Sequence, residues 1–270
     1  MKNKNLVHLL CGVSALLSAT CYSQTAPAAE PESTLTFNVG AVSDYRYRGI
    51  SQSGTKPAVQ FGADYTDKSG FYVGTWNSTI TWIKDTGTAN TKGPLETDLY
   101  GGYRGAFNDD VTYDVGVLQY LYSGNNLATV TGYANANTTE IYGAINYGPA
   151  YIKLSDSVTN LFGFPSSSGS TYLDIGYNFD FGDGLTALAH IGNQAIKSTS
   201  PYFAGDNANV TAYTDYSLAL NKDFDGLVLS GTIVGTDFSK RGNKVKDNLA
   251  GSGSKDLAGT SFVLGLKKNF

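Results

Sequence analysis

Residues 34–48 read TLTFNVGAVSDYRYR, and a two-residue alternation runs through the whole stretch. Leu35, Phe37, Val39, Ala41, Ser43, Tyr45 and Tyr47 fall on one face, while Thr36, Asn38, Gly40, Val42, Asp44, Arg46 and Arg48 fall on the other. A water-soluble sheet turns its apolar face onto a core. Here the apolar face ends in two tyrosines and the opposite face in three charges. That pattern predicts a strand with lipid outside, water inside and an aromatic girdle at one membrane surface.

One strand proves nothing, so the rest of the chain has to repeat the pattern. Charged residues make up 16%, aromatics 13% with 19 Tyr, and there are 32 Gly, a mixture that suits short strands and tight turns better than long helices. A formal net charge of -4 argues against a nucleic-acid partner. An acidic, secreted, soluble β protein remains open at this stage.

The first residues supply an address. Lys2 and Lys4 precede an apolar run from Leu6 to Ala19, and Ala26-Pro27-Ala28 has the small-x-small spacing of a signal-peptidase site. The run is too short for a membrane helix of about 20 residues. Residues 1–28 are therefore expected to be a cleaved export signal, 29–33 a short N-terminal segment and 34–270 one barrel. Cleavage removes two of the 19 basic residues and none of the 23 acidic ones, which leaves -6. It also removes Cys11 and Cys21, so no disulfide could staple the mature chain. Lipidation at Cys21 fits poorly, because Leu17 lies one place too far upstream for a lipobox.

Further alternating stretches follow. Val59, Phe61, Ala63 and Tyr65 oppose Gln60 and Asp64; Leu99, Tyr103 and Phe107 oppose Glu96, Asp98, Tyr100 and Arg104. Val111, Tyr113, Val115 and Val117 share a phase, as do Ile141 and Ile145 against Glu140, and Leu173, Ile175, Tyr177 and Phe179 against Asp174. Residues 71–82 are ambiguous: Tyr72, Trp76, Ile80 and Trp82 share one phase, Phe71 and Val73 the other. Connections alternate in length, long from Gly49, Lys84, Ser123, Ser157, Asn193 and Lys240, and short at Asp67, Asn108, Gly148, Gly182 and Asp223. A soluble sandwich has no reason to keep that rule. It predicts an all-β, antiparallel transmembrane β-barrel of about twelve strands with short periplasmic turns and long extracellular loops.

Residues 43–53 (SDYRYRGISQS), 57–60 (PAVQ) with Asp64-Tyr65, and 70–76 (GFYVGTW) closely resemble the N-terminal motif of the TorF porin family. Residues 96–103 (ETDLYGGY), Asp114-Val115-Gly116 and 140–143 (EIYG) look like later blocks of it. The resemblance implies an outer-membrane barrel of Gram-negative bacteria. At the end of the chain Phe262, Leu264, Leu266 and Phe270 share a phase resembling the signal that bacterial barrels offer to their assembly machinery. Lys268 breaks that phase, as a lysine can where it snorkels at a membrane edge.

Catalytic chemistry has little to work with. His190 is the one histidine beyond the leader, and it reads as a polar wall residue sooner than as the base of a barrel lipase. Asp223-x-Asp225-Gly226 is too short for a calcium loop, and no cofactor is implied. The inward-facing charges are the functional candidates. The acids are Asp44, Asp64, Glu96, Asp98, Asp114, Glu140, Asp174 and Asp215; the bases are Arg46, Arg48, Arg104, Lys153 and Lys267, with His190 beside them. They either line a water path or pair off and fill the interior. A twelve-stranded barrel lies between about 8 strands, where side chains fill the interior, and 16–18, where a channel opens. The sequence thus predicts a narrow, mildly cation-preferring, non-catalytic channel for small solutes or ions, set in outer-membrane lipid. A non-conducting structural or adhesive barrel is the alternative.

Overall fold

The computed structural model describes residues 33–86, 90–198, 210–237 and 256–270. The expected export signal, residues 1–28, lies outside the described residues, as do both cysteines. In chain order the elements are β1 (Ser33–Val42), β2 (Arg46–Tyr47), β3 (Ile50–Ser51), β4 (Ala58–Asp67), β5 (Phe71–Thr79), α1 (Trp82–Thr86), β6 (Leu95–Ala106), β7 (Val111–Tyr122), β8 (Thr138–Tyr147), β9 (Ala150–Ser157), β10 (Thr171–Asp180), β11 (Leu185–Lys197), β12 (Val210–Phe224), β13 (Leu227–Thr236) and β14 (Ser261–Asn269).

Among the described residues twelve strands close into one antiparallel transmembrane barrel, each paired with its sequence neighbours and β1 with β14. Closure leaves no sheet edge unpaired in lipid. The seam is a backbone exchange: Phe270 donates its N–H to the Phe37 carbonyl at 2.9 Å, and Phe37 donates back to the Phe270 carbonyl at 3.2 Å. Turns at one end of the barrel are minimal. Asp225 and Gly226 both take positive φ, 56° and 81°, the handedness that a two-residue hairpin needs to follow the strand twist.

Alternation is read directly in exposure. Leu35, Phe37 and Val39 on β1, Leu99 on β6, Ile141 and Ile145 on β8, and Phe262, Leu264 and Leu266 on β14 all face outward and stand exposed, forming an apolar belt suited to lipid. The ambiguous β5 resolves cleanly: Phe71 and Val73 are outside, while Tyr72 and Trp76 are buried inside. Tyrosine rings on the inner face lie over glycines of adjoining strands. Side chains added at Gly74, Gly116 and Gly176 would overlap Tyr100, Tyr142 and Tyr151 respectively. Lys268 resolves its broken phase by donating from Nζ to the Asp225 carbonyl at 2.8 Å, in the turn beside it.

The stretch at 34–48 is not one strand. β1 stops at Val42, and the next residues leave the wall: Asp44 to Gly49 are buried without a break. Tyr45 and Tyr47 therefore form no lipid-facing girdle, and residues 49–56 are no external loop. The reason is chemical. Asp44, Arg46 and Arg48 meet opposite charges and acceptors inside the barrel, and the chain turns inward to reach them, forming the small β2–β3 sheet. A second boundary shifts as well. β11 continues through Asn193 to Lys197, so the expected loop begins later than its polar sequence suggests.

Candidate functional site: the charged interior

The inward segment, residues 43–57, crosses the lumen from the β1 side toward β6–β11. Its anchor is Arg48, whose Nη2 lies 2.9 and 2.8 Å from the two carboxylate oxygens of Glu140 on β8. Nη1 of the same side chain donates to Gln194 on β11, and the guanidinium lies 4.1 Å from the centre of the Tyr172 ring. A planar, delocalised cation is suited to this combination of a bidentate carboxylate and stacked rings. Arg46 pairs with Asp44 at 2.6 Å and donates from Nη1 to the carbonyls of Leu257 and Gly259 at 2.8 and 3.1 Å. Tyr45 donates its hydroxyl to Glu96 at 2.5 Å, and the hydroxyls of Tyr47 and Tyr120 share a hydrogen bond at 2.6 Å.

Loop side chains complete the packing. Phe162, from the connection between β9 and β10, meets the rings of Tyr47 and Tyr120 edge-on at 5.4 and 5.0 Å. Ile50 packs against Leu161, Ile196 and Tyr213. Trp82 of α1 meets Tyr122 at 5.3 Å, and Ile83 beside it is fully buried.

A second cluster surrounds His190. Its Nδ1 lies 2.7 Å from Asp174 and its Nε2 2.8 Å from Asp215, so each ring nitrogen needs a proton to serve its carboxylate. Tyr172 donates to Asp215 at 3.1 Å, and Tyr151 to Asp174 at 3.1 Å. With both nitrogens engaged by carboxylates, the ring is not placed to draw a proton from a serine. A third cluster joins Arg104 to Asp114 at 3.1 Å, with Tyr72 donating to the other carboxylate oxygen at 2.5 Å. Tyr100 donates to Asp64, and the ammonium of Lys153 sits 4.1 Å from the Tyr142 ring centre.

Of the fourteen interior residues expected from alternation, nine are buried: Asp44, Arg46, Arg48, Glu96, Asp98, Asp114, Glu140, Asp174 and Asp215. Asp64, Arg104, Lys153, His190 and Lys267 are half-buried. Asp98 differs from the rest. It is 1% exposed, and its Oδ1 has no hydrogen-bond partner. Among the described residues, no group of three or more His, Cys, Asp or Glu is placed to hold a metal ion. Sequence reading missed Gln194 and, although it set Tyr100 on the inner face, the part that tyrosines play in serving the carboxylates. The signal for Gln194 was present, since it continues the phase of His190 by two steps of two.

No curated protein matches the chain. Among solved structures it is similar to the NanC porin, with a TM-score of 0.52 and 10% identity over 87% of this chain and 99% of that one. It is also similar to the KdgM porin, with a TM-score of 0.49 and 9% identity over 87% and 99%. At such identity the NanC likeness is one of fold. A family model described as "Bacterial protein of unknown function (Gcw_chp)" matches residues 26–270, and the chain belongs to that family.

Proposed function

We propose that the protein is a narrow outer-membrane channel through which small solutes or ions diffuse passively, with a mild preference for cations. The observation that carries this reading is the contrast between the two faces of one closed wall. The outer face is a continuous apolar belt, while the interior, inner wall and inward segment together, bears eight acids and five bases, an excess that falls from three to two when His190 is doubly protonated. A charged interior is the mark of a barrel built around water, and low-dielectric walls focus its field. The TorF-like motif of residues 43–76 supports the same reading, as does the porin fold. Export through a cleaved leader and recognition of Phe262, Leu264, Leu266 and Phe270 by the barrel-assembly machinery belong to the proposal.

The experiment is bilayer recording on refolded protein across a salt gradient. Discrete currents that reverse on the cation side are expected; silent bilayers from demonstrably closed barrels would overturn the channel. One observation favours the non-conducting alternative: residues 44–49 are buried inside the barrel and take up lumen space.

A further inference from the structure

The inward segment has the properties of a gate and not of a wall. β2 and β3 pair with each other and with no barrel strand. Withdrawing the whole of residues 43–57 from the barrel interior would break side-chain contacts and four backbone bonds, from Ser43 to Leu264, from Ser51 to Leu257 and from Thr81 and Trp82 to Gln52. No rung of the barrel ladder would be lost. Backbone bends sit at both ends of its tip, with positive φ at Arg48 (45°), Gly49 (79°), Gly54 (65°) and Thr55 (60°). Arg48 and Thr55 carry side chains that disfavour this region, so their geometry persists only while surrounding contacts impose it.

The shut arrangement also leaves polar groups unserved. Arg48 Nε and Asp98 Oδ1 are buried without partners. Glu96 and Glu140 lie within electrostatic reach of Asp98, and among the described residues Glu140 is the one of the three acids that forms an ion pair, with Arg48. Unserved buried groups raise the free energy of the shut state and bring it closer to an open one.

We propose that residues 43–57 form a gate latched by Arg48, and that its withdrawal uncovers Glu96, Asp98 and Glu140 as the cation-selecting element of the open pore. This rests on the channel reading above. Withdrawal takes Arg48 from Glu140 and carries Arg46 out with its own partner Asp44, so three carboxylates are left facing water, with Lys153 still within electrostatic reach of Glu140. Charge selection and opening are thereby one event.

The test is thiol accessibility, which needs no current. Ser51 is 1% exposed in the shut form. The full chain with Ser51→Cys, assembled in phospholipid vesicles, is treated with a membrane-impermeant maleimide, and the parent without that substitution gives the background. Slow labelling is expected, accelerated tenfold or more by Arg48→Met. Gln194→Ala, which removes one Arg48 contact and keeps the ion pair, should give an intermediate rate and serves if Arg48→Met fails to assemble. Unboiled-gel migration confirms closure in each variant. In parallel recordings Arg48→Met should raise both open probability and cation preference, and adding Asp98→Asn should reduce the preference without slowing labelling. Labelling indifferent to both Arg48→Met and Gln194→Ala would overturn the gate, whatever the currents. Accelerated labelling without any current would overturn the channel reading, and the selectivity half of this inference with it.

Discussion

Arg48 and Glu140 stand 92 residues apart in sequence and meet through two hydrogen bonds across the interior of the barrel. The pair is fully desolvated, with side chains 3% and 2% exposed. Removing one partner of such a pair costs more than removing both, because a lone buried charge has nothing to offset its lost hydration. Glu140→Ala should therefore destabilise the folded barrel by about 3–5 kcal/mol, and the double variant Arg48→Met with Glu140→Leu by clearly less. Urea unfolding in detergent micelles, followed by tryptophan fluorescence, measures both. Additive losses would show that the two side chains are energetically independent.

Tyr151 and Gly176 test the packing of ring over glycine. A methyl group at Gly176 would overlap the Tyr151 ring directly. Gly176→Ala should cost about 1–3 kcal/mol through overpacking. Combining it with Tyr151→Ala should recover part of that loss, although Tyr151 also serves Asp174. A harmless Gly176→Ala would mean that the ring can swing aside freely.

The seam at Phe37 and Phe270 makes a prediction about biogenesis. The Phe270 side chain is 70% exposed on the outer face, while its backbone closes the ring. Phe270→Asp places a charge at that outer rim without removing either backbone bond. Assembled protein in the outer membrane should fall severalfold, while barrels that do assemble keep the parent conductance. Quantitative blotting of unboiled membranes reads the first and bilayer recording the second; normal surface levels would remove the terminal residue from the assembly signal.

Selectivity separates the two sets of charges. Amide substitution of Glu96, Asp98 and Glu140 together should shift reversal potentials toward anions, and Arg46→Gln with Arg48→Gln should deepen the cation preference. Both shifts should be largest at low salt, since the screening length falls from about 30 Å at 0.01 M to about 3 Å at 1 M. Reversal potentials that ignore both sets would mean that permeant ions pass elsewhere in the lumen.

Strand number, facing and closure were legible because period-two burial is a local property. Leu99 against Asp98 or Ile141 against Glu140 needs no partner to be interpreted. The fate of residues 43–57 was not legible for the converse reason. Tyr45 and Tyr47 continue the alternation of β1 without a break, and only the distant partners Glu96, Glu140 and Gln194 decide that the chain leaves the wall. Gln194 was hidden by its neighbours: a run of small polar residues looks like a loop, whereas in a barrel interior it is ordinary strand. The role of the carboxylate-serving tyrosines escaped notice because described tyrosines occur on both faces, Tyr72 and Tyr172 inside and Tyr65 and Tyr177 outside, so each carries little information singly.

The reach of Arg46 to the carbonyls of Leu257 and Gly259 ties the beginning of the barrel to its end. Those acceptors stand just ahead of β14, the last strand in the chain, so the seat of Arg46 is complete only when β14 lies beside β1. A sheet still open at that side would leave the arginine only Asp44 and the Gly49 carbonyl, both on its own segment. The cylinder is sealed around its own contents by the same seam that gives those contents their footing, as a drawstring closes a bag from the end at which it was threaded.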